Sequence, residues 1–160
     1  MASSQGGMDQ GMQQLSVFSD YNNTDHGNGF LIESNVFQEQ LIGPGDVTEV
    51  WFFSWDAKKG NIEGNSTALG FIKTLDPNNG FVTTNFITED MTNTPTTWTT
   101  YSLSITIDDT LPGQILQIGF NNTTTYYQGS GVFYDNINFA IEGSVPTTDT
   151  SVGSLKTQFK

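Results

Sequence analysis

The chain of 160 residues contains no cysteine, so disulfides, thiol nucleophiles and thiolate metal sites are all excluded. Basic residues are nearly as scarce: five Lys+Arg stand against 17 Asp+Glu, for a net charge of -12. A nucleic-acid or anionic-membrane partner needs a basic footprint, which is missing here, so nucleic acid is not an expected partner. No apolar run approaches the ~20 residues of a membrane helix, so no membrane insertion is expected. His26 is the only histidine. With no Gly-x-Ser-x-Gly elbow beside it, Ser-His-Asp chemistry has little to build on, and one histidine without cysteine is a poor zinc site. Charged residues make up only 14 % of the chain.

Thr, Asn, Ser and Gly are plentiful instead. Thr is β-branched and favours strands, while Asn and Gly supply turns. Helical periodicity is absent; short β-branched and aromatic segments alternate with Gly, Pro, Asn and Asp breaks. Strands are expected at Leu15–Phe18, Phe30–Ile32, Val36–Ile42, Val47–Ala57, Ala68–Leu75, Phe81–Ile87, Trp98–Ile107, Ile115–Phe120 and Val132–Ile141. Turns are expected at Gly43-Pro44-Gly45-Asp46 and Asp76-Pro77-Asn78-Asn79-Gly80. Regular short strands with such punctuation predict an all-β, antiparallel β-sandwich. Its span is 15–142, after a disordered or appended polar leader at 1–14 and before a Ser/Thr/Pro/Gly-rich linker at 143–160.

Four pieces, in order, resemble the jelly-roll carbohydrate-binding modules with a galactose-binding-like fold that accompany xylanases and laminarinases. They are the Gly-Pro-Gly-Asp turn that opens the strand ending Phe53-Ser54-Trp55-Asp56-Ala57-Lys58; Thr97 to Ser104; Leu116-Gln117-Ile118-Gly119-Phe120; and Val132-Phe133-Tyr134-Asp135-Asn136-Ile137. The family's opening strand with an early Glu has no clear counterpart here. The tail, Gly153 to Lys160, is similar to the run-in to a type IX secretion sorting domain. Together these imply a secreted or bacterial cell-surface protein carrying a monomeric, non-catalytic module.

Sugar recognition needs flat apolar faces and amide or carboxylate groups for hydroxyls. Tyr126 and Tyr127, in a polar loop with Asn122 and Gln128, are the first candidates. The family register turns Trp51, Phe53, Trp55 and Ala57 into the core and leaves Phe52 and Asp56 to line a groove, because a buried unpaired carboxylate would cost several kcal/mol. Trp98 is expected in the core as well. Gln38 and Gln117 are candidates to address hydroxyls from a sheet face.

The resemblance implies a structural calcium at Asp135. Calcium takes six to eight oxygens, and the oxygen-rich segment with Asp20 and Asp25 could join it. The expected partner is a polysaccharide or oligosaccharide, neutral because the surface is acidic, with β-glucan ranked first. The alternatives are a structural or adhesive spacer without a sugar site, and a small jelly-roll lyase or hydrolase.

Overall fold

The computed structural model describes residues 2–3, 5–19 and 24–142. Nine strands run β1 (Ala2–Ser3), β2 (Gln13–Val17), β3 (Ile32–Leu41), β4 (Val50–Lys59), β5 (Thr67–Asp76), β6 (Val82–Asp90), β7 (Thr99–Thr106), β8 (Ile115–Thr124) and β9 (Val132–Ile141), with a four-residue helix α1 (Thr24–Gly27) before β3. They form two antiparallel sheets, ordered β1-β2-β9-β4-β7 and β3-β8-β5-β6. The chain is an all-β sandwich, as its composition and turn spacing predict, of the jelly-roll kind that the resemblance implies. Residues 143–160, read as a linker, and Asp20 lie outside the described residues.

The core is built on the alternation of β4. Trp51, Phe53, Trp55 and Ala57 all face inward and are buried. The Trp55 ring lies 4.6 Å from Phe53 and meets Phe120 of the opposite sheet edge-on at 5.5 Å. Its indole N–H donates to Met91 Sδ at 3.4 Å, and that of Trp51 donates to Glu49 Oε2 at 2.7 Å. Each tryptophan therefore buries its ring without losing its one polar bond. Leu103, Ile105, Leu116, Ile118, Ile72 and Tyr134 fill the rest.

Two strands outrun their apolar signal. β8 continues through the polar Asn121–Thr124, because the inward-facing Asn122 is fully buried and donates to the carbonyls of Val17 and Ser130. β3 runs unbroken across Ser34 and Asn35, paired to β8 from Ile32↔Thr124 to Leu41↔Ile115.

The segment expected to be a leader lies across the outer face of the five-stranded sheet. Gln5 O accepts from Lys58 Nζ at 2.7 Å and from Trp98 Nε1 at 3.1 Å, and Gln10 Nε2 donates to Asp56 Oδ2 at 2.8 Å. Trp98 is thus not a core residue: it lies half-buried beneath this strap, with Lys58 Nζ 5.3 Å from its ring.

Candidate functional site

The outer face of the four-stranded sheet carries a cleft of about 400 Å³ lined by Glu33, Asn35, Phe71, Lys73, Phe86 and Asn121, among others. Strand pairing arranges its side chains in rows. One row reads Glu39, Gln117, Lys73 and Phe86 across β3, β8, β5 and β6; the next reads Phe37, Gly119, Phe71 and Thr88; the third reads Asn35, Asn121, Leu69 and Asp90. Four strands span ~14 Å from edge to edge, the length of a short oligosaccharide.

Aromatic rings sit on both flanks and on the floor. Phe37 on one edge strand is 50 % exposed and Phe86 on the other is 56 % exposed. Between them Phe71 is buried on this outer face, its ring 5.9 Å from that of Phe86 and 5.5 Å from Lys73 Nζ. Gly119 makes this close arrangement possible, since a Cβ there would come within 2.8 Å of Phe37 Cβ.

The polar groups are held in a network. Gln117 Nε2 donates to Glu39 Oε2 at 2.9 Å, and Asn121 Nδ2 donates to Asn35 Oδ1 at 2.6 Å. Asn35 Nδ2 in turn donates to Glu33 Oε1. Each amide keeps further donor or acceptor capacity for a hydroxyl. Pre-oriented amides between half-exposed rings can stack on the C–H face of a pyranose and bond its equatorial hydroxyls.

Of the sequence candidates, only Gln117 lies on this face, buried in the row between Glu39 and Lys73 beside the cleft. Gln38 is exposed on β3 but alternates to the other side from Glu39, whose carbonyl it bonds at 3.3 Å. Asn122 faces the core, so it holds β2 and residue 130 in place and does not reach solvent. Gln128 is occupied locally, its Oε1 accepting from Asn65 N at 2.9 Å.

Phe52 and Asp56 belong to the other sheet. There Asp56 is sealed under the strap and takes hydrogen bonds from Thr100 (2.6 Å), Asn136 (2.7 Å) and Gln10 (2.8 Å). Burial alone would raise its pKa, but the three donors outweigh that and hold it below the usual 3.8. The strap covers Asp56, so the groove expected there does not open at that residue.

Tyr126 and Tyr127 are exposed, at 64 % and 47 %, on the loop after β8. Both adopt the left-handed region, with φ of 52° and 58°, and their rings lie over Gly29 and Gly27 at the end of α1. They stand at the end of the sandwich rather than in the cleft. The residues that sequence reasoning missed, Phe37, Phe71 and Phe86, alternate with inward residues along three separate strands. That alternation was the available signal, but it becomes a site only when the strand order is known.

Asp25 lies exposed on α1, with its carbonyl accepting from the amides of Asn28 and Phe30. Among the described residues no group of three or more His, Asp or Glu side chains is placed to hold a metal. Two oxygens nevertheless stand out. Asp135 Oδ2 and Gln14 Oε1 are both buried with no hydrogen-bond partner among the described residues. The β2–β9 ladder ends at Leu15↔Tyr134, and Gln14 and Asp135 each lie one residue beyond that last pair. Two buried acceptors without a donor at one end of a ladder suit a hard cation such as calcium.

No family model matches the chain, and no curated protein does. Among solved structures it is similar to the enzymatically active domain of tailspike protein 4 of bacteriophage CBA120, with 14 % identity and a TM-score of 0.50 over 80 % of this chain and 18 % of that one. The chain thus spans less than a fifth of that protein. It is also similar to a family 61 carbohydrate-binding module in complex with β-1,4-galactotriose, at 12 % identity and a TM-score of 0.47 over 84 % of this chain and 74 % of that one. A family 30 carbohydrate-binding module is similar at 14 % identity and a TM-score of 0.47, over 82 % and 78 %. The tailspike likeness concerns the fold alone.

Proposed function

We propose that this domain is a non-catalytic carbohydrate-binding module that holds a neutral glycan, β-glucan first, in the cleft of the four-stranded sheet on a secreted or cell-surface protein. The observation that carries this reading is the pair of half-exposed rings, Phe37 and Phe86, flanking hydrogen-bonded amides above Phe71. An absence of catalysis fits the spacing of the two acids, Glu33 and Glu39, that β3 turns to this face. Glu33 and Glu39 are six residues apart on one strand, roughly 20 Å at the usual rise, whereas glycosidase carboxylates lie about 5–9.5 Å apart.

A calcium ion belongs to the same reading as a structural element. Asp135 and Gln14 would hold it, and bound there it would supply charge compensation that ties β2 to β9.

The test is affinity electrophoresis of the whole chain in gels containing laminarin, mixed-linkage glucan, xylan, mannan or alginate, with calcium and then with EDTA. Retardation by one neutral glycan that is lost in both Phe37→Ala and Phe86→Ala establishes the module and its site. Retardation by none, from a chain with intact β-sheet circular dichroism, would replace this reading with a spacer or adhesion domain.

A further inference from the structure

A second cleft of about 410 Å³ lies on the opposite sheet, remote from the row of phenylalanines. Phe18 and Phe133 contribute apolar wall, Ser16, Asn61 and Gln5 polar wall, and Lys59 the one charged lining group. Its volume falls within the range of small-ligand clefts.

Charge makes this cleft unlike the rest of the surface. The chain has only five basic residues for 17 acidic ones, yet Lys59 lines this cleft and the adjacent Lys58 reaches two of its lining residues, Gln5 and Phe133. Lys58 is committed: it donates to Gln5 O and lies 5.3 Å and 5.7 Å from the rings of Trp98 and Phe133. Those contacts fix its position and still leave its full charge beside the cleft. Lys59 has no ion-pair partner among the described residues, although acids outnumber bases more than threefold. No acidic side chain lines the cleft to neutralise the pair.

The geometry points to a second binding site, for a glycan unit that carries one carboxylate. A uronate sugar offers what the walls ask for: a C–H face for Phe133, hydroxyls for Asn61 and Ser16, and a carboxylate for Lys59. The net charge of the chain does not prevent this, since exposed charges beyond ~8 Å are screened at physiological salt. The inference rests on the carbohydrate-binding reading for its ligand class but uses none of the residues of the first cleft.

The experiment is an amide NMR titration of the whole chain with aldotetraouronic acid (xylotriose bearing one 4-O-methylglucuronate) and with plain xylotriose. The acid is expected to shift Ser16, Lys59, Gly60 and Gly131, and to bind there about two- to five-fold more tightly than xylotriose, as one exposed ion pair allows. That difference should vanish in Lys59→Gln and in high salt, while Phe133→Ala should abolish the shifts altogether with the spectrum otherwise dispersed. Equal binding of acid and neutral sugar at this cleft, insensitivity to Lys59→Gln, or acid-specific shifts confined to Lys73 and its neighbours would overturn it. Xylotriose shifts at Phe37, Gln117 and Asn121 report on the first cleft separately, so failure of one site is read apart from failure of the other.

Discussion

Tyr134 and Phe120 stack across the sandwich with ring centroids 3.7 Å apart and planes inclined by 18°, and the Tyr134 hydroxyl has no hydrogen-bond partner among the described residues. Burial pushes that phenol far above its normal pKa of 10.0 and leaves it neutral at any accessible pH. A buried hydroxyl without a partner loses its water bonds for nothing in return, about 1–3 kcal/mol. Tyr134→Phe should therefore keep the stack and leave the domain as stable as before or more so, by up to about 2 kcal/mol. Urea unfolding with an unchanged m-value would check this; a loss above 1 kcal/mol would mean the hydroxyl has an acceptor after all.

Gly70 on β5 faces inward beneath Trp55, and a Cβ there would stand 2.5 Å from the indole. Backbone shape is not the obstacle, because the position is an ordinary strand residue. The space belongs to the ring. Gly70→Ala should cost about 1–3 kcal/mol through overpacking, seen as a lower melting temperature. A Trp55→Phe background should recover part of it, because a smaller ring makes room; strict additivity of the two changes would argue against the contact.

These contacts explain what could be read from the residues beforehand. The alternation of β4 announces its core face, since Trp51, Phe53, Trp55 and Ala57 share one side and Asp56 the other. The Asp76–Gly80 turn was equally plain: Asp76 caps Asn78 N at 2.9 Å and Gly80 takes the left-handed conformation with φ of 64°. The polar end of β8 was not legible, because Asn122 faces inward on the strength of two carbonyls supplied by residues far away in sequence or across a loop. Nor was the strap over Asp56: it depends on Gln5 and Gln10 meeting partners 46 to 93 residues away, with no apolar periodicity of its own. The first cleft suffered the same way. Phe37, Phe71 and Phe86 lie on β3, β5 and β6, and only the insertion of β8 between β3 and β5 makes them one surface.

Asp56 gives the strap an acid-sensitive anchor. Its folded pKa is lowered, so the carboxylate contributes stability that is fully present above the unfolded value near 3.8 and is lost as pH falls through the lower folded value. In EDTA, so that no cation contributes, the domain should lose stability below about pH 4. Asp56→Asn should flatten that acid limb at the cost of lower stability at neutral pH, because Thr100, Asn136 and Gln10 would lose a charged acceptor. Thermal melts from pH 7 to pH 2.5 on both proteins would show it. An identical acid limb in the two would place the titrating group elsewhere.

Asp135 allows a sharper test, because calcium and its absence pull the same substitution in opposite directions. Without a cation, Asp135 Oδ2 and Gln14 Oε1 are two buried acceptors facing no donor, an arrangement that costs stability. Asp135→Asn exchanges one acceptor for an amide that can donate to Gln14, so in EDTA the variant should melt at or above the wild type. With calcium the order should reverse. The wild type would gain about 2.7 kcal/mol at a hundredfold excess over its dissociation constant, whereas the variant has lost the only carboxylate of the pair and should gain little. Crossing of the two melting curves between EDTA and millimolar calcium is the expected result. If calcium leaves the wild type unchanged, the two oxygens are satisfied by water, and the tie between β2 and β9 needs no metal.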